Sequence, residues 1–76
     1  MSEYVATFYS HYDALIFYNF LKENNVIAKL TPVPRKVSAS CGTCVLFSSD
    51  TVIDFTGHEL EALYIETSDG YKEVDS

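Results

Sequence analysis

Basic residues are scarce in this chain: five lysines and arginines stand against eleven aspartates and glutamates, for a formal net charge of −6. Nucleic-acid binding draws its affinity from clustered Lys and Arg that displace counterions from phosphates, so this balance argues against such a partner. The acidity reads as a solvated, solubilising surface, concentrated in the C-terminal third at Glu59, Glu61, Glu66, Asp69, Glu73 and Asp75. Cysteine is equally sparse. Two residues do not make the disulfide framework of a small secreted domain. No apolar run approaches the ~18 residues of a membrane span. The opening Met1-Ser2-Glu3-Tyr4-Val5-Ala6-Thr7 lacks both the basic segment and the apolar stretch of a signal peptide. The expectation is a cytoplasmic chain with reduced thiols and no membrane contact. Also missing are G-x-x-x-x-G-K-S/T, G-x-G-x-x-G, a Ser-His-Asp arrangement with supporting spacing, and carboxylates paired for acid–base work. Independent enzymatic turnover is not expected, and nothing points to a cofactor.

What the chain does contain is an ordinary globular composition. Its 76 residues allow one domain, spanning 1–76, and 47% of them are hydrophobic. Six tyrosines and five phenylalanines carry much of the core, since each such ring buries ~150–250 Å². A chain of this size hides only ~60% of its unfolded surface. Little volume is left for an enclosed cavity, so any chemistry belongs on a loop or at a partner's surface.

The pattern of elements is β-α-β-β-α-β. Glu3 to Tyr9 is β-branched and aromatic, a strand with Tyr4, Ala6 and Phe8 on one face. Ser10-x-x-Asp13 is a helix N-cap signal, and Ala14, Phe17, Tyr18 and Leu21 recur at helical spacing from His11 to Glu23. Lys22 and Asn24-Asn25 suit the helix C-terminus. Val26 to Thr31 is a second strand, closed by Pro32, and a loop runs from there to about Gly42. Thr43 to Phe47 is a third strand, with Val45 and Phe47 opposite Cys44 and Leu46. Ser48-Ser49-Asp50 then reads as a cap for a short helix from Asp50 to Phe55, ending at Gly57. Leu60 to Thr67 is a fourth strand. Asp69-Gly70 signals a turn, leaving 69–76 as a turn with a short strand or a tail. This order predicts an α+β, ferredoxin-like fold: an antiparallel four-stranded sheet with helices on one face.

The segment most suited to chemistry is Cys41-Gly42-Thr43-Cys44, behind Pro32-Val33-Pro34-Arg35-Lys36-Val37-Ser38-Ala39-Ser40. A thiol is nucleophilic as its thiolate, which nearby positive charge and backbone donors favour. Arg35 and Lys36 are the charges at hand, Ser38 and Ser40 could join free loop N–H groups in an anion-stabilising nest, and Gly42 allows close approach. Cys44, inside a strand beside Leu46, reads as a small buried hydrophobe. Cys41, on a Ser/Gly loop, is the candidate thiol. A C-x-x-C also suggests a redox pair, but residues three apart in a strand face opposite sides, which hinders a disulfide. A zinc site needs four ligands, and His11 and His58 would have to supply the two that the cysteines do not, so no metal is expected.

These residues resemble the DUF3343 family, described as putative selenium/sulfur carrier protein-like. The resemblance rests on Tyr4-Val5-Ala6-Thr7-Phe8-Tyr9-Ser10, Ala14-Leu15, Pro32-Val33-Pro34-Arg35 and above all Ser38-Ala39-Ser40-Cys41-Gly42. It implies a carrier thiol at Cys41, surrounded by Arg35, Ser38, Ser40 and Gly42 and holding sulfur or selenium as a persulfide or selenosulfide. Cys44 departs from the apolar strand residue expected there, so it is either incidental or resolves a Cys41 persulfide. The implied partners are proteins: a donor such as a cysteine desulfurase, and an acceptor. Two alternatives stand beside this reading. One is a Cys41–Cys44 thiol–disulfide module, and the other is a structural or regulatory binding domain, such as a homodimer formed through the sheet.

Overall fold

A computed structural model describes residues 2–37, 39–49 and 60–74. Among them the chain is α+β, with one helix and one five-stranded sheet. The elements are β1 (Ser2–Thr7), α1 (His11–Glu23), β2 (Ala28–Pro32), β3 (Thr43–Ser49), β4 (Ala62–Thr67) and β5 (Gly70–Glu73). The strands lie in the order β2-β3-β1-β4-β5, and every neighbouring pair is antiparallel. It follows that β1 and β2, joined through α1, run parallel with β3 inserted between them, a split β-α-β unit.

Helix α1 keeps the bounds its sequence predicts, and both ends show why. Ser10 has extended backbone, and its hydroxyl oxygen accepts from the Asp13 N–H at 3.2 Å while donating to the Asp13 carboxylate at 2.9 Å. At the other end Asn25 takes a left-handed φ of 61°. There Val26 N–H donates to Leu21 O at 2.9 Å and Asn25 N–H to Lys22 O at 3.1 Å, the double bond of a Schellman closure. Replacing Ser10 with alanine is expected to cost about 1 kcal/mol, read as a lower urea midpoint at unchanged slope.

Ladder partners share a face, so the register sorts the side chains. Tyr4, Ala6, Val45, Phe47, Ala28, Leu30 and Leu63 fall on the α1 side, where Ala6, Phe8, Ala14, Phe17, Leu21, Val45 and Phe47 form the buried core. Phe17 is its hub, with ring centroids 5.4 Å from Phe8, 5.8 Å from Phe47 and 6.1 Å from Phe20. The opposite face carries Val5, Thr7 and Cys44, and these too are at most 1% exposed.

Three expectations are corrected. The sheet has five strands rather than four, because the Asp69-Gly70 turn folds Gly70–Glu73 back onto β4, with Gly70 at φ 130°. Ser48 and Ser49 are not a helix cap but the end of β3, paired with Glu3 and Ser2. There Ser48 Oγ donates to the Glu3 carboxylate at 2.7 Å, and that partner outweighs the local capping preference. The second strand begins at Ala28 rather than Val26, since Val26 is engaged in closing α1. The predicted helix at Asp50–Phe55 lies outside the described residues, as do Ser38 and His58. No described helix is long and apolar enough to cross a membrane.

Candidate functional site

The β2–β3 loop is closed at its mouth and anchored at two further points. At the mouth Pro32 pairs with Thr43, and Val33 N–H donates to Gly42 O at 3.2 Å, one step beyond the ladder. Between them Pro34 to Val37 makes a turn, with Val37 N–H on Pro34 O at 3.0 Å and Arg35-Lys36 at its tip. That tip reaches the β4–β5 turn, where the Lys36 stem lies 3.6 Å from the position a Cβ on Gly70 would take. Further along, Ser40 bonds Glu61, which immediately precedes β4. One loop thus touches both ends of β4, although β3 and β1 lie between that strand and β2. With α1 packed on the far side, this route leads over the face that carries Val5, Thr7 and Cys44. Val37 within it is itself buried.

The two cysteines receive unlike environments. Both are free thiols. Cys41 sits half-buried on the loop between Ser40 and Gly42. Cys44 lies in β3 between Thr31 and Thr7, has no exposed surface, and points its Sγ at Pro32 O at 3.8 Å. Burial pushes its thiol up to about 11, because the buried position disfavours the charged form.

Arg35 and Lys36 line an open groove of about 450 Å³ together with Glu66, Asp69 and Tyr71 of the β4–β5 hairpin. The charged side chain bonded to the Cys41 segment is an acid, Glu61. Ser40 donates to it twice, from its N–H to Oε1 at 2.9 Å and from its hydroxyl to Oε2 at 2.5 Å. These bonds hold the Glu61 carboxyl below its usual range, the hydroxyl contributing most. On the other side of Cys41-Gly42, Thr43 Oγ1 lies 3.3 Å from His11 Nδ1 at the start of α1. Gly42 has open space where a Cβ would stand and is not among the residues of positive φ, so a strained backbone does not explain it.

Sequence reasoning missed Glu61 and Thr43. The first partnership spans 21 residues and the second 32, and only the β1–β4 and β1–β3 pairings bring those positions to the same end of the sheet. Among the described residues no group of three His, Cys, Asp or Glu side chains is placed to hold a metal ion.

Compared with known proteins, residues 3–69 match the model of the family described as "Putative Se/S carrier protein-like". The match takes in the cysteine segment and continues through β4 to the β4–β5 turn. No curated protein and no solved structure gives a match.

Proposed function

Since the chain belongs to this Se/S carrier-like family, we propose that it is a non-enzymatic carrier that holds a sulfur or selenium atom on Cys41. The observation that supports this reading is the contrast between the thiols: Cys41 is half-exposed on an anchored loop, whereas Cys44 is sealed in the sheet. Loading is an exchange. The Cys41 thiolate attacks the outer sulfur of a donor persulfide, forming a sulfur–sulfur bond at Cys41 and expelling the donor thiolate. Delivery repeats the step, with an acceptor thiolate attacking the outer atom and Cys41 leaving as thiolate. No net oxidant is needed, because the transferred atom keeps its oxidation level. A selenium atom passes in the same way as a selenosulfide. The donor is a persulfide-bearing protein such as a cysteine desulfurase, and the scaffold is a ferredoxin-like sheet with its loop turned to the partner. Arg35, Lys36, Ser38, Ser40 and Gly42 are the surroundings on this reading. A resolving role for Cys44 is disfavoured, since a resolving thiol must reach its partner as thiolate.

Incubation with a desulfurase and cysteine, followed by intact-mass measurement, tests the proposal. Wild type and Cys44→Ala are expected to gain one sulfur atom, and Cys41→Ser none. An unmodified wild type, or an adduct that persists in Cys41→Ser, overturns it.

A further inference from the structure

Apart from the thiol itself, a side chain bonded directly to the Cys41 segment is Glu61. Its backbone is fixed: the Glu61 N–H donates to Thr7 O at 2.7 Å, carrying the β1–β4 pairing one residue past Ala62. From that fixed base both carboxylate oxygens accept from Ser40, one from the amide and one from the hydroxyl. A two-point, charge-assisted contact of this kind sets orientation as well as distance. Its partner is the residue directly before Cys41. Elsewhere the loop is held by the Pro32–Thr43 pairing and the Val33 N–H bond to Gly42 O at its mouth, by the Lys36 stem against Gly70 and by burial of Val37.

We propose that Glu61 is the positioning residue of the carrier site: its carboxylate clasps Ser40 and so holds Cys41 half-buried, and release of Ser40 presents the Cys41 sulfur to a partner. The purpose of the clasp rests on the carrier reading, but the clasp itself does not. Shielding suits such a site, because a loaded persulfide exposed to every small thiol would be discharged before delivery. Docking of a partner that competes for Ser40 or Glu61 would open the loop where transfer is wanted.

The groups facing Glu61 are the Ser40 amide and hydroxyl from the loop and the Thr7 carbonyl from β1. The titratable neighbours carried by adjoining described segments are Cys41 on the loop and His11 on α1, the latter engaged with Thr43. Because hydrogen bonding lowers the Glu61 carboxyl, the clasp is complete above the ordinary carboxylate range. It is lost as pH falls through the lowered folded-state value.

Two measurements on the full chain test this. The first is hydrogen exchange of the Ser40 amide followed by NMR. In wild type its protection is expected to collapse at the acid end, and Glu61→Gln should start low and lose that acid step. The second is the iodoacetamide rate at Cys41 near neutral pH. Ser40→Ala and Glu61→Asp keep the carboxylate charge but break or shorten the clasp, so each is expected to alkylate several-fold faster than wild type. If both react at the wild-type rate, or if the wild-type Ser40 amide exchanges without protection at neutral pH, the proposal is overturned. The wild-type exchange profile needs no variant to fold. Failure of persulfide loading would remove the carrier reading and leave both measurements as they stand, so the two failures are distinguishable.

Discussion

Replacement of Phe17 with alanine is expected to destabilise the protein by about 3–5 kcal/mol, the usual cost of removing a fully buried aromatic ring. Phe17 has no exposed surface and contacts the rings of Phe8, Phe20 and Phe47, so its loss opens a cavity bordered by both the helix and the sheet. Domains are stable by only ~0.05–0.15 kcal/mol per residue, which leaves a chain of this length close to unfolding in the variant. The measurement is urea unfolding followed by circular dichroism. Tyr12→Ala, on the same helix but at a residue 70% exposed, is the control, expected to change stability by no more than about 0.5 kcal/mol. A Phe17→Ala cost below about 1.5 kcal/mol would mean that the ring cluster does not pack as described.

The second large effect is a difference between the thiols. In native protein at pH 8, iodoacetamide is expected to label Cys41 and leave Cys44 free. Two causes act together at Cys44. Its thiol is raised from 9.0 to about 11, which leaves ~100-fold less thiolate at any pH below both values. It also has no surface for a reagent to approach. Peptide mapping after a timed reaction should find one modified cysteine, and the same reaction in concentrated urea should find two. Comparable labelling of both in native protein would show that β3 does not seal Cys44. A stability effect accompanies the raised value: the contribution of this group is fully present below pH 9 and declines as pH rises toward 11, because the unfolded chain loses the proton first.

Helix α1 was legible in the sequence because everything that defines it is local. Ser10 and Asp13 cap one end, Asn25 closes the other, and Ala14, Phe17 and Leu21 mark the inner side. The alternation of Val45 and Phe47 against Cys44 in β3 was legible for the same reason, since a strand turns its side chains over at every step. What failed depended on distant partners. Ser48-Ser49 carried a capping signature, but Glu3 and Ser2 were waiting across the ladder. Nor was it legible that Arg35 and Lys36 share a groove with residues of the β4–β5 hairpin, which lie far along the chain. Glu61 gave no local signal at all. It looked like one acid among eleven, and its role emerges only when β4 pairs with β1.

The position of β1 in the middle of the sheet sets the timetable on which the protein can fold. Both neighbours of this strand, Thr43–Ser49 and Ala62–Thr67, lie well after it in the chain and are made later. Helix α1 can coil early on its own signals, whereas the hydrophobic centre stays unzipped until Val45 and Phe47 of β3 have emerged. Closing such distant segments is slow. Until then Val5 and Ala6 lack the cross-strand neighbours that bury them in the finished sheet.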